Sequence, residues 1–576
     1  MRKFLPKNLI GSMLTWLLIV FVATGQENNA KMEDSDYEAI TIPAPQQSDL
    51  RIQEIAEEKL QELYSKGFLE AQLKNIIRDT ASYTITLNKG QRFYYIPETN
   101  LDPLIIKSLN VESYFVGRPV NFEDFNSLTS KILNYLGNTG YPFARLHKNN
   151  IEITDSIIKV ELLLDRMEYI VFDTLSITGD LQLKPVFLEN HLGITPAQAF
   201  SEDLVNEATD KISDLTFTEL SSPMQLSFSP GKARLILPMN KVRTNRFDGI
   251  IGLSSTTEQE SSLSITGLLN LFLENTFGMG DKLSLSWRAL GQGTQILDLA
   301  AHYPYPLKLP ITTGIDFSLH RQDTTWLQLR AQPVVGINTA SGFNWRVFMH
   351  YNSTSLISTK QYENVTDLPP NLDFKSRVYG IRLEKRTSGF NRSLIQSGYN
   401  LNLSIAAGSR EILKNAALPE FIYENRELKS LQLNFEAFSE LRFSISDRST
   451  FTLTNRGAWI NGQQIPVNQL YRLGGFQSLK GFDEYSMLAS AYITANAEYR
   501  FFTGQFSFFS LFINGGWYEQ KTLEQYMNDL PLGIGAGLNL ETQAGILALY
   551  FAIGRQNQIP FELRNAKIHV GYVSTF

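Results

Sequence analysis

From about residue 246 to the last residue, apolar and polar side chains alternate in segment after segment, and no other feature constrains the fold as strongly. In SLSITGLLNLFL (262–273), Leu263, Ile265, Leu269, Leu271 and Leu273 fall on one face and Ser262, Ser264, Thr266 and Asn270 on the other. In FNWRVFMHYN (343–352), Phe343, Trp345, Val347, Met349 and Tyr351 oppose Asn344, Arg346, His350 and Asn352. KLSLSWRAL (282–290) and SLQLNFEAF (430–438) repeat the pattern. A period of two is that of a β-strand with two unlike faces. Here one face is purely apolar and the other carries full charges. The apolar face is the core of a soluble sandwich, or it is the lipid-facing wall of a barrel whose polar face lines the lumen.

Composition favours the barrel. Charged residues are 19% of the chain, against about 25% in ordinary soluble domains. Aromatics reach 12%, while the mean hydropathy of −0.15 is too low for a helical membrane protein. Sixteen candidate strands begin near residues 247, 262, 282, 295, 312, 326, 343, 377, 400, 430, 449, 488, 507, 532, 545 and 567. The number is even, as single-chain bacterial barrels require, and closure leaves no strand edge exposed to lipid. The final segment, KIHVGYVSTF, ends on aromatic Phe576 like a closing strand. The expected fold is therefore a 16-stranded antiparallel transmembrane β-barrel over 246–576.

The N-terminus predicts export. Arg2, Lys3 and Lys7 precede an apolar run from Leu14 to Ala23, and Ala23-Thr24-Gly25 supplies small residues for cleavage. The run is about half the roughly 20 residues a membrane span needs, so residues 1–25 read as a signal peptide. Residues 26–48 are acidic and proline-punctuated, the composition of a flexible leader. From 49 to 243 helical and β-rich runs repeat. Each unit offers an amphipathic helix (Ile52, Ile55, Ala56, Leu60 and Leu63; Phe125, Leu128, Ile132 and Leu136; Leu204, Val205, Ala208, Ile212 and Leu215) followed by two strands. LQELYSKGFLEAQLKNI (60–76) aligns with ILNYLGNTGYPFARLHKNNI (132–151): a helix end, Gly67-Phe68 or Gly140-Tyr141, then Ala71 or Ala144, then a strand. Three α+β modules are expected, over 49–92, 93–168 and 169–243; the first reads as truncated at its front, which makes two and a half modules the alternative.

This layout, with the late loop YRLGGFQSLKGFDEYSM (471–487), resembles the outer-membrane barrel-assembly superfamily, whose modules are polypeptide-transport-associated (POTRA) domains. The loop carries Gly474, Gly475, Ser478, Leu479, Lys480, Gly481 and Phe482 in the family's Gly-Gly-x-x-Ser-Leu-[Arg/Lys]-Gly-[Phe/Tyr] pattern. NTFGMGDKL (275–283) is similar to the family's second hairpin and GIGAGL (533–538) to its fourteenth strand. Three modules and this length are most similar to the barrel subunit of the translocation and assembly module. The resemblance implies that the loop folds into the lumen and that its cation meets the wall, at positions matched here by Glu498 and Asn514. The family usually has Arg in the loop and Asp on the wall. Lys480 and Asn514 depart together, which leaves Glu498 as the expected partner. The resemblance also implies a weak lateral seam between the first and last strands, marked here by Gly249, Gly252, Gly571 and Phe576.

No catalytic constellation emerges. There is no HExxH and no phosphate-binding loop, and the six histidines are scattered. No cysteine is present, so thiolate metal sites and disulfides are excluded. A net charge of −6 leaves no nucleic-acid footprint. The expectation is a non-enzymatic protein without metal or cofactor, seated in the outer membrane of a bacterium with its modules in the periplasm. Its expected partners are outer-membrane lipid, unfolded outer-membrane or secreted proteins, and periplasmic chaperones or an accessory subunit. Its expected role is to fold and insert β-barrel clients, or translocate β-rich passengers, by adding a client strand at the seam. The alternatives are a two-partner-type secretion transporter that passes polypeptide through the lumen, and a passive pore or adhesin.

Overall fold

The computed structural model describes residues 37–43, 49–79, 82–255 and 263–575, apart from 292, 340–341, 363, 388–389, 391–393, 463–464, 477, 523–524, 543–544 and 558–559. The expected signal peptide, most of the leader, and Phe576 lie outside the described residues. The chain forms two compact units, one of residues 1–135 and 144–166, the other of 136–143 and 167–576.

The first unit contains strand β1 (Tyr37–Pro43), helix α1 (Asp49–Ser65) and strands β2 (Gln72–Arg78) and β3 (Ser82–Asn88). The predicted apolar stripe is the buried one, with Ile52, Ala56 and Leu63 packed beneath Tyr83, Ile85 and Leu87. The leader expected over 26–48 is corrected in part. Residues 37–43 form an edge strand antiparallel to β3, with Ile40 and Ile42 against this core. The alternation in YEAITIP supplies the inward isoleucines, which outweigh the acidic composition of the leader.

The second module runs β4 (Tyr94–Thr99), α2 (Pro103–Leu109), α3 (Phe122–Gly137), β5 (Arg145–Thr154), β6 (Ile157–Asp165). The third runs β7 (Val171–Thr178), α4 (Pro185–Leu192), α5 (Glu202–Ser213), β8 (Thr218–Leu220), β9 (Gln225–Ser229), β10 (Lys232–Lys241). In both, the first strand lies parallel to the last. In the first module it lies antiparallel. Two helices return the chain to its starting direction and one does not, so the single helix of the first module accounts for the reversal. The predicted repeat is visible at the module junctions. Gly67 (φ 93°) and Gly140 (φ 96°) follow their helices in left-handed conformation. Each carbonyl accepts a 2.8 Å hydrogen bond, from Phe93 and Ile170 respectively, at the start of the next module.

The sixteen barrel strands, numbered 1–16 below, are Arg246–Ser255, Leu263–Glu274, Lys282–Gly291, Thr294–Pro304, Thr312–Gln322, Trp326–Asn338, Phe343–Leu356, Phe374–Arg386, Gly398–Ile412, Lys429–Ser446, Ser449–Asn461, Ala491–Phe502, Phe508–Lys521, Leu532–Thr542, Gly545–Arg555 and Lys567–Thr575. All pair antiparallel in chain order and the sheet closes. A short segment, Tyr526–Asp529, extends strand 14 past Pro531, which cannot donate to the ladder. Each start lies within three residues of its predicted position. The barrel is inside-out relative to a soluble protein. Val347, Ile405 and Leu511 are at least 60% exposed on the outer face, while Gln328, Thr354, Ser376 and Arg410 are buried within. That is the distribution a bilayer requires.

Candidate functional site: a docked lumenal hairpin and a short seam

Between strands 11 and 12 the chain turns into the barrel. Tyr471–Leu473 and Met487–Ala489 form a two-stranded ribbon whose tip is the glycine-rich motif. Gly474 (φ 105°), Gly475 (φ 93°) and Gly481 (φ 97°) all occupy left-handed backbone that disfavours any side chain. The Ser478 hydroxyl closes the turn, donating to the Gly474 carbonyl and accepting from its amide, both at 2.9 Å. Leu479 is fully buried and packs with Leu473, Phe482, Met487, Ala489 and Tyr518. Lys480 apart, each residue the motif fixes is therefore accounted for by geometry: glycines for the turns, serine for the lock, Leu479 and Phe482 for anchorage.

The tip rests backbone-on-backbone against strands 13–15. A Cβ on Gly481 would lie 2.9 Å from the Ile553 carbonyl carbon. One on Gly533 would lie 2.4 Å from the Lys480 oxygen, and one on Gly554 2.7 Å from the Gly481 oxygen. Three glycines thus make the close approach possible. The wall glycines Gly533 and Gly554 were not singled out as loop partners in the sequence; the signal was a glycine at each end of the strand 14–15 hairpin, facing one another.

The cation forms no direct ion pair with Glu498 among the described residues, although that carboxylate still attracts it from a longer distance. The Asn514 amide donates to the Lys480 backbone oxygen at 3.3 Å, so Asn514 meets the main chain and not the charge. The Glu498 carboxylate is held by Arg500 at 3.0 Å. Arg500 lies two residues along the same strand face, so it reaches the carboxylate without spanning the lumen. The Lys480 ammonium sits over the rings of Phe512 (4.8 Å), Tyr550 (5.6 Å) and Phe476 (5.7 Å). Cation–π attraction of about 0.5–2 kcal/mol then contributes to its placement, and asparagine is adequate at 514 because a carbonyl needs only a donor.

The barrel closes through a short seam. Among the described residues, strands 1 and 16 pair at Arg246↔Thr575 and Phe247↔Ser574. Strand 1 pairs with strand 2 over ten positions, and strand 15 with strand 16 over seven. Gly249 and Gly252 face Leu269 and Thr266 of strand 2, and Gly571 faces Ala548 of strand 15. Among the described residues none of these glycines is paired across the seam. Over the described residues strand 16, with nine, is the shortest of the sixteen; strand 10 has eighteen.

The third module is braced against the turns at the same end as the paired seam residues. In the turn after strand 2, the Asp281 carboxylate accepts from the amides of Thr276 (3.0 Å) and Phe277 (2.9 Å), and the Asn275 side chain accepts from Gly280 (2.9 Å). The Gly278 carbonyl accepts from Lys184 at 2.8 Å, and bare Gly280 admits the Phe187 ring, which an added Cβ would strike at 2.3 Å. From the turn after strand 4, Tyr305 enters the module core. His191 Nε2 donates to the Lys211 carbonyl at 2.8 Å, so Nδ1 accepts from the Tyr305 hydroxyl at 3.2 Å. Burial pushes the His191 pKa down and keeps the ring neutral.

Modules of this topology, a sixteen-stranded barrel, a hairpin docked in its lumen and a short seam define a membrane barrel preceded by repeated α+β modules. The Omp85 superfamily domain matches residues 275–564, just over half of the chain, and the chain belongs to that superfamily. Among solved structures it is similar to CdiB from Escherichia coli (14% identity, 91% of this chain and 98% of that one covered, TM-score 0.54) and CdiB from Acinetobacter baumannii (12%, 92% and 97%, 0.54). A third, BamA from Haemophilus ducreyi lacking POTRA domains 1–3, aligns at 15% identity over 83% of this chain and 98% of that one, with a TM-score of 0.43. No curated protein matches the chain.

Proposed function

We propose that this protein sits in the outer membrane of a bacterium, with its modules in the periplasm, and folds and inserts β-barrel clients or translocates β-rich passengers. The carrying observation is the seam. With two residue pairs joining strands 1 and 16 among the described residues, the seam-edge backbone donors and acceptors of strand 1 beyond Phe247, those not used by strand 2, are offered to a client strand by β-augmentation. No nucleotide is required, because work comes from the hydrogen bonds and burial gained as the client folds; the protein is not an enzyme. The modules hold unfolded clients, chaperones or an accessory subunit along their sheet edges. The docked hairpin supports insertion over passage through the lumen, since three glycine contacts hold it on the wall. The competing reading, a secretion transporter, requires the hairpin to leave.

The test is reconstitution. Liposomes containing the full chain receive a urea-unfolded model barrel client, and folding is followed by heat-modifiable electrophoretic mobility. Accelerated folding without ATP is expected. A rate equal to that of empty liposomes overturns the proposal.

A further inference from the structure

Beside the hairpin ribbon the lumen contains a cavity of about 310 Å³, the space of roughly ten waters at ~30 Å³ each. Its walls are strongly cationic. Arg330 on strand 6 and Arg382 on strand 8 face it from the barrel, and Arg472 faces it from the ribbon. Arg288 lines it too, but is neutralised by Asp298 at 2.8 Å. None of the other three guanidiniums has a carboxylate within ion-pair distance among the described residues. Arg330 is bonded to the Gln328 side chain, Arg382 lies over Phe348 and Arg472 over Trp326. The remaining lining carboxylate, Glu436, accepts from the Tyr471 hydroxyl at 3.3 Å. Three cations against one anion leave a surplus of two positive charges on the wall of this partly open lumenal cavity.

Three neutral lining groups point the same way. His320 Nε2, the Asn352 side-chain oxygen and the Ser376 hydroxyl are buried without a hydrogen-bond partner. Their residues are 5%, 5% and 1% exposed. Each can present a donor: imidazole by choice of tautomer, amide by a flip, hydroxyl by rotation. Unused donors beside unpaired guanidiniums are what an oxygen-rich anion recognises, and arginine's planar fork suits such oxygens.

We propose that this cavity binds one small doubly charged oxyanion, phosphate or sulfate in kind, which ties the hairpin through Arg472 to strands 6 and 8 through Arg330 and Arg382. The charge of the ion matches the surplus. The cavity is lined by barrel strands 3–11 and the glycine contacts lie on strands 14 and 15, so the two attachments hold the hairpin to different parts of the wall. The proposal does not depend on how clients are handled.

Calorimetric titration of the full chain in neutral detergent at low ionic strength, with inorganic phosphate and with chloride, tests it. One phosphate per chain is expected, at least tenfold tighter than chloride. The double variant Arg330→Gln/Arg382→Gln should weaken phosphate at least tenfold, and Arg386→Gln, at the exposed end of strand 8, should leave it unchanged. Asn352→Asp, isosteric and so compatible with folding, places a negative charge in the site and should abolish binding. Phosphate bound no more tightly than chloride by the unaltered protein, or within twofold of it by Asn352→Asp, overturns the proposal.

Discussion

Locking the seam should stop client insertion. Residues opposed in an antiparallel ladder alternate between two hydrogen bonds and none, so the two pairs joining strands 1 and 16 carry about two bonds. At roughly 0.5–1.5 kcal/mol each, parting them costs about 1–3 kcal/mol. That leaves roughly one molecule in six to one in 150 open at equilibrium. The neighbouring junction, with seven pairs, would cost about 3.5–10 kcal/mol by the same count, and would open in less than about 0.3% of molecules. The difference makes this the junction a client can use. Phe247 and Ser574 are directly opposed, which puts their Cα atoms ~4.5–5.5 Å apart, within disulfide range. In a chain without native cysteine, Phe247→Cys/Ser574→Cys should oxidise readily. Proteoliposomes carrying the oxidised form should fold a barrel client at least tenfold more slowly than the reduced form, and reductant should restore the rate. An oxidised, fully crosslinked protein that matches the reduced one would refute the reasoning.

Three further outcomes are expected. Gly481→Val combines a left-handed φ of 97° with a Cβ driven into the Ile553 backbone. Strain and overpacking of about 2–6 kcal/mol together should undock the tip, read as faster maleimide labelling of a cysteine at Ser478; unchanged labelling counts against the docking. Glu498→Lys replaces the partner of Arg500 with a third cation near Lys480, and should abolish the folded-barrel band on unheated gels, whereas a fully active variant contradicts the electrostatic account. His191 is held neutral by burial, while in the unfolded chain it titrates near ~6.5. The unfolded state therefore binds the extra proton, and this contribution is complete above about pH 6.5 and lost as pH falls below it. Hydrogen-exchange protection factors across α4 and α5, which remove the intrinsic slowing of exchange in acid, should fall on acidification in the natural protein and less so in His191→Gln; identical profiles refute the assignment.

The barrel was legible because lipid on one side and water on the other impose alternation on every strand. All sixteen starts could be placed to within three residues, most plainly where segments alternate as FNWRVFMHYN does. The modules were legible at their long amphipathic helices and less so elsewhere. Helices α2 and α4 span seven and eight residues, too short for a periodic stripe. Their signals were local: Pro103 and Pro185 at the first turns, with left-handed Asn110 and Gly193 as caps. The strand at Tyr37–Pro43 was hidden by the acidic residues before it, although Ile40 and Ile42 carried its pattern. In the site, the glycines, Ser478 and Leu479 could be read because backbone conformation selects residue type strongly. The partner of Lys480 could not, because a side chain chooses between a carboxylate and three rings by distances that only the assembled wall sets. The brace on the third module was half legible. NTFGMGD stood out as a motif, but that Gly280 is bare to admit Phe187 depends on two segments more than ninety residues apart.

Strand addition at the seam is the central claim, and site-specific crosslinking in cells tests it most directly. Single cysteines are placed at Gly252 in strand 1 and, separately, at Ser478 in the hairpin tip, against cysteines stepped along the last strand of a model barrel client. The account predicts disulfides at Gly252 in one fixed register with the client strand and none above background at Ser478. Crosslinks at Ser478 spread along the client, with none at Gly252, would contradict it and assign the lumen as the route.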